Sequence, residues 1–168
     1  TSRLLRDAHL GSIWEGTGNI VAIDALKRAV GRHGAEAALA ADLHARLDDS
    51  ANVPQAWRNR LRELTDRAIG FAREVASRTD NEGDARRATS LLYHVASAVA
   101  LAWEGGRIHE MRGDARRLVL SRMVVDHRVA AGDPFRLAEN ATQRAITDHL
   151  LGERSVGMAE VGELLVAA

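Results

Sequence analysis

The sequence contains no cysteine. Disulfide bonding, thiolate nucleophiles and thiolate metal ligands are therefore all excluded. Proline occurs only twice, at Pro54 and Pro134, and only six residues are aromatic, so aliphatic and alanine side chains must build the core. Lysine is nearly absent: Lys27 stands alone and arginine carries the remaining fixed positive charge. No apolar run approaches the roughly 20 residues needed to span a bilayer, and no signal-peptide pattern precedes the first motif. A cytoplasmic location and no membrane partner are expected. Thr1 stands where an open reading frame would carry Met, so the chain reads as a fragment with a larger part upstream.

What is present favours helices. The apolar fraction is 46%, rich in alanine, and formal net charge is zero. Alanine loses no side-chain entropy on entering a helix, and the strand formers are too scattered to suggest a sheet. In 168 residues a single core is the prior. The expected fold is all-α, a bundle of about six helices joined by short loops.

The first helix is predicted over 20–30, with Ile20, Ile23, Leu26 and Val30 on one stripe. A second covers 35–47, where Leu39, Leu43 and Leu47 repeat every four residues. Pro54 suits the first turn of a third. That helix carries Trp57, Leu61, Leu64, Ala68, Phe71 or Ala72, and Val75 at helical spacing. Asp84 is a plausible cap for a fourth, with Ala88, Leu91, Val95, Ala98 and Ala102 on its inner face and a break or kink at Gly105 and Gly106. A fifth follows Gly113 and Asp114 to about residue 131. It is apolar on more than one side (Leu118, Leu120, Val124, Val125, Val129), as expected of a central or interfacial helix. Gly132, Asp133 and Pro134 introduce a sixth, to about 151. The structure of the tail, 152–168, is left open.

One run of residues carries more than packing: Arg6-Asp7-Ala8-His9-Leu10-Gly11-Ser12-Ile13-Trp14-Glu15-Gly16-Thr17-Gly18-Asn19-Ile20. Ser12-x-x-Glu15 fits a capping box, but Gly16 and Gly18 make a poor first helical turn. Gly16-x-Gly18 is too short for a nucleotide fingerprint, and no strand precedes it. The run resembles the acyl-CoA dehydrogenase family, whose members show an Arg-Asp-Ala segment, a spacer, then aromatic-Glu-Gly-Thr and an Ile-containing helix start. The match covers about the first 30 residues.

The resemblance implies that Glu15 removes the α-proton of an acyl-CoA thioester while hydride leaves the β-carbon for the N5 position of FAD. It further implies that the Glu15 N–H binds the thioester oxygen and that Thr17 and Asn19 contact FAD. Gly16 leaves room for close approach, and Trp14 replaces the usual Tyr at the acyl pocket. Some family members take the base from another helix instead. A further 153 residues follow Glu15 in the 168-residue chain, more than ordinary members carry. That extension is similar to the AidB-like, alkylation-response branch; very-long-chain dehydrogenases are the competing subgroup. By the same resemblance, 1–34 ends the catalytic helical domain and 35–168 is a helical extension, whether separate or in one bundle with it. The resemblance also implies partnership with upstream domains of the same protein and a homo-oligomer, dimer or tetramer. The fragment alone is expected to be inactive and to hold FAD weakly. The alternative is a non-enzymatic helical module for oligomerisation or DNA contact.

AidB-like proteins are associated with DNA, yet no part of this chain is strongly basic. Residues 1–34 hold five Arg/Lys against three Asp/Glu, 35–90 nine against ten, and 91–168 nine against ten. Arg58, Arg60 and Arg62 form the densest basic group, and acids lie close by in sequence. Net charge therefore does not support nucleic-acid binding. Seven histidines are scattered with none at i, i+4 spacing, so no metal site is expected. His94 and His127 read as partly buried structural residues, and Trp57 and Trp103 as core or interface.

Overall fold

The computed structural model describes Arg3 and residues 18–78, 82–130 and 141–166. Among these there is no strand, and the fold is all-helical. No helix among them is long and apolar enough to cross a membrane.

Among the described residues from 18 onward seven α-helices follow in order: α1 (Gly18–Asp24), α2 (Ala35–Asp48), α3 (Gln55–Ser77), α4 (Ala85–Arg112), α5 (Arg116–Val124), α6 (Ala141–Leu151) and α7 (Met158–Val166). Two of them run on as wider π-helical segments, α1 through Ala25–Arg32 and α5 through Val125–Val129. A short 3₁₀ turn, Glu82–Asp84, leads into α4.

The long α3 and α4 carry the fold. On α3 the inner face is Trp57, Leu61, Leu64, Ala68, Ala72 and Val75, all buried, which puts Ala72 rather than Phe71 on the stripe. On α4 it is Ala88, Val95, Ala98, Val99 and Ala102. The main core gathers Trp57, Leu61, Leu64 and Ala68 of α3 and Val95, Ala98, Val99 and Ala102 of α4 with Leu43 and Leu47 of α2, Leu118 and Val119 of α5, and Val156 and Val161 near the C-terminus. Each large aliphatic side chain fully buried here contributes about 1.5–3 kcal/mol. A second cluster joins Ala22, Leu26 and Val30 of the first helix to Ala72, Val75, Ala85 and Ala88. The 18–34 stretch thus packs against α3 and α4.

Two expectations are corrected, and two points left open are filled in. First, Ile20 is not on the buried stripe of α1; it is 62% exposed, and the stripe is Ala22, Leu26 and Val30. The π-helical segment explains the spacing. Its i→i+5 bonding, as in His33 N–H to Arg28 O at 3.1 Å, adds residues to each turn and keeps positions four apart aligned.

Second, Gly105 and Gly106 do not break α4, which runs through them to Arg112 and ends at Gly113 with φ +71°. Both are buried because neighbours need the space. A Cβ on Gly105 would lie 3.0 Å from the Leu118 backbone N, and one on Gly106 would fall on the Asn52 side-chain amide.

Third, the many-sided apolar surface of α5 is central in part: Leu118, Val119 and Val125 are buried inside the chain, while Leu120 is 37% exposed. Fourth, the tail is part of the core. Val156 and Val161 are fully buried, and α7 packs on α5.

Candidate functional site

The sequence motif ends where α1 begins. Trp14, Glu15, Gly16 and Thr17 lie outside the described residues; Gly18 and Asn19 form the first turn of α1. One face of that helix is fastened to α3 and α4 through Ala22 and Leu26. The opposite face turns Asn19, Ile20 and Val21 outward, the last two 62% and 45% exposed. Asn19 therefore keeps its amide available at the point where the motif enters the bundle. A Cβ on Gly18 would meet nothing within 4 Å, so packing among the described residues does not require glycine there.

No family model, curated protein or solved structure matches this chain.

The arginines of α3 do not form one free cationic face. At 100° per residue, Arg58 and Arg62 share a side and Arg60 points away from it. Each is also engaged. Arg58 donates to the Val53 carbonyl at 3.1 Å and to Gln55, Arg60 pairs with Glu63 at 3.0 Å, and Arg62 reaches back to Asp48 at 2.7 Å. A phosphate competing for Arg60 or Arg62 meets a charge already balanced by a carboxylate, whereas the acceptors of Arg58 are neutral.

A more elaborate polar cluster lies where α2 ends against α4. Trp103 is half-buried rather than in the core, and its indole is flanked by two guanidinium groups, Arg107 at 4.3 Å and Arg46 at 5.0 Å. Its Nε1–H donates to Asp49 Oδ2 at 3.0 Å, and Arg107 donates to the same oxygen. These hydrogen bonds, the indole's first and the guanidinium's second, hold the Asp49 carboxyl below its ordinary range. Arg46 donates to Asp42 at 2.8 Å, which raises the guanidinium pKa further. The cluster ties two helices together and neutralises itself. The i, i+4 pairs Asp42/Arg46 and Trp103/Arg107 are visible in the sequence; their meeting across helices is not.

Two further cavities are lined by described residues. One of about 370 Å³ lies between α3, α4 and the π-helical end of α5, with Leu64, Phe71, Leu91 and Val129 as walls and Arg67 and Arg87 among its lining. Arg87 stacks over Phe71 at 4.7 Å and pairs with Asp84 at 3.4 Å. Asp84 thus makes no side-chain cap at the start of α4. The second, about 250 Å³, lies between the π-helical part of α1, the start of α2 and α4, with Glu36 in its wall. Among the described residues no three His, Asp or Glu side chains converge as metal ligands. His94 is half-buried as expected, whereas His127 is exposed because it falls on the outer side of the π-helical turn.

Proposed function

We propose that this chain is the C-terminal helical part of an FAD-dependent acyl-CoA dehydrogenase-type protein, closest to the AidB-like branch, and that Glu15 is its base. The observation that carries the reading is the run Ile13-Trp14-Glu15-Gly16-Thr17-Gly18-Asn19-Ile20, leading directly into α1. Bound FAD would supply the hydride acceptor. The chain's own contribution is the proton: the Glu15 carboxylate takes it from the α-carbon of the thioester as hydride leaves the β-carbon, giving the α,β-unsaturated thioester. A carboxylate is a weak base in water and a stronger one once desolvated. The Glu15 N–H would hold the thioester oxygen as negative charge develops there. Thr17 and Asn19 would contact FAD, and Trp14 and Gly16 would line the acyl pocket. Asn19, exposed on the first turn of α1, is free to face such a partner.

In the full-length protein, Glu15→Gln is expected to abolish bleaching of the flavin by acyl-CoA while FAD stays bound. Bleaching that persists in the variant removes Glu15 as the base. The 168-residue chain alone is expected to hold no stoichiometric flavin, since the upstream domains would supply most of its contacts.

A second reading is a non-enzymatic helical module, an oligomerisation or DNA-contacting part of an AidB-like protein. The exposed Ile20 and Val21 favour contact with another polypeptide, whether an upstream domain or a second copy in a dimer or tetramer. The ion pairs of Arg60 with Glu63 and of Arg62 with Asp48 weigh against DNA. Salt-dependent DNA binding lost on Arg58→Ala and Arg62→Ala would reverse that judgement.

A further inference from the structure

We propose that the cavity between α3, α4 and the π-helical end of α5 binds a small amphipathic carboxylate, its apolar body against Leu64, Phe71, Leu91 and Val129 and its head at Arg67 and Arg87. The proposal does not rest on the flavin reading.

The wall combines two kinds of surface. Leu64, Ala68, Phe71, Leu91, Val129 and Ala130 make it apolar, and among the described residues that line it there are two arginines and no carboxylate. Arg67 and Phe71 stand four apart on α3, as Arg87 and Leu91 do on α4, so each helix offers a charge beside an apolar side chain on the same face. Arg87 stacks its guanidinium over the Phe71 ring, 4.7 Å from the centroid, which holds that charge against the wall. Both arginine side chains are well exposed, at 69% and 65%, so a ligand arriving from solvent can reach them.

Charge decides the head group. Arg67 lies 3.6 Å from Glu63 and Arg87 3.4 Å from Asp84, both beyond the roughly 2.7–2.9 Å of a charge-assisted hydrogen bond. Arg62 and Asp48, at 2.7 Å, show what a closed pair looks like on the same helix. Glu63 also accepts from Arg60 at 3.0 Å, so one carboxylate serves two guanidinium groups and a net positive charge remains among the three. A planar guanidinium matches a carboxylate in geometry as well as in sign, and a cationic head would meet like charge. The volume of about 370 Å³ falls within the range of small-molecule sites. Val129 belongs to the π-helical end of α5, and such widened turns recur at functional sites.

Naphthoate and its neutral isostere naphthamide test this on the 168-residue chain, since they share a shape and differ in the charge of the head. Methyl resonances of Leu64, Leu91 and Val129 report the cavity, and those of Val156 and Val161, outside its lining, serve as controls. Naphthoate is expected to shift the cavity methyls saturably and, at low salt, to bind about three- to tenfold more tightly than naphthamide. Added salt should narrow that ratio, because both guanidinium groups face solvent. The double variant Arg67→Gln, Arg87→Gln alters only exposed side chains, and circular dichroism verifies its fold. It should bring the two affinities to within about twofold. The proposal is overturned if naphthoate and naphthamide bind the unaltered chain equally, or if the cavity methyls do not move with naphthoate. It is overturned too if the double variant keeps the preference for naphthoate. The ratio in the unaltered chain decides the matter even where the variant fails to fold.

Discussion

Trp57 and Ser121, 64 positions apart, share a hydrogen bond inside the core, the indole Nε1–H donating to Ser121 Oγ at 3.2 Å. Ser121 passes its own hydrogen to the Ala98 carbonyl at 2.7 Å. Three helices are thereby joined through one hydroxyl: α3 by the donor, α5 by the serine and α4 by the carbonyl. Ser121 is fully buried and Trp57 nearly so, and no solvent can replace a lost partner.

Ser121→Ala should therefore cost about 1–3 kcal/mol, because it leaves a buried indole N–H unsatisfied. Trp57→Phe in the same background should cost less than in the unaltered chain, since the donor it removes is already orphaned. Urea unfolding of the two single variants and the double variant checks this, with a coupling of about 0.5–3 kcal/mol expected for directly bonded groups. Simple additivity would mean that the hydrogen bond contributes nothing.

Three glycines of the long helices should respond oppositely to alanine. Gly106→Ala pushes a Cβ onto the Asn52 amide and Gly105→Ala presses on the Leu118 backbone, so each should lose about 1–3 kcal/mol. Gly70, exposed on α3 with nothing within 4 Å of a Cβ, should gain about 0.5–1 kcal/mol as alanine. Thermal melts of the three variants decide it. Asn52→Gly should rescue Gly106→Ala in particular, because the obstruction is that side chain.

Those glycines also show where sequence reading runs out. The faces of α2, α3 and α4 are legible because burial follows helical periodicity, as Leu43, Leu61 and Val95 attest. Two adjacent glycines read as a break because their conformational cost is local, whereas the reason for them, Asn52 and Leu118 pressing in, is tertiary. The tail was opaque for the same reason. Val156 and Val161 have too short a periodic context to announce that they complete the core around α5. At the site, the Glu15 run stands out as a string of residue types, and Asn19 can be followed into α1. Glu36 gave no signal at all. A lone glutamate in the first turn of a helix reads as favourable placement near the helix dipole, and only packing reveals that its side chain is buried and accepts from Arg73 of α3 at 2.9 Å.

The tail's attachment should depend on Asp114. Its Oδ1 accepts from Arg116 N–H at 3.1 Å and from Val156 N–H at 3.3 Å, so it serves the start of α5 and the segment before α7 together. Backbone pairing of Ala115 N–H with Val156 O at 2.8 Å closes the same junction, and Arg122 donates to the Leu164 carbonyl further on. Asp114→Ala should cost about 1–2 kcal/mol, in the range for loss of a helix cap. Amide exchange should rise first over 156–166. Uniform acceleration across α3 and α4 as well would mean that the tail has no separate opening mode.

Acid should weaken the chain at two surface sites. Asp49 is held below its ordinary 3.8, chiefly by the Trp103 hydrogen bond and then by Arg107, and Glu160 below its ordinary 4.5, chiefly by Arg154, which donates to it at 2.8 Å. The carboxyl pKa is lower in the folded state than in the unfolded state at both positions. Each contact therefore stabilises the fold fully above the ordinary value, and its contribution is lost as pH falls through the folded one. A melting temperature flat above these values and declining below them is expected. Asp49→Asn and Glu160→Gln should each lower the plateau and make the acid decline shallower, because the variant has nothing left to protonate. Both carboxylates face solvent, so added salt should shrink the difference between variant and unaltered chain. An acid decline of unchanged steepness in the double variant would assign it to other carboxylates.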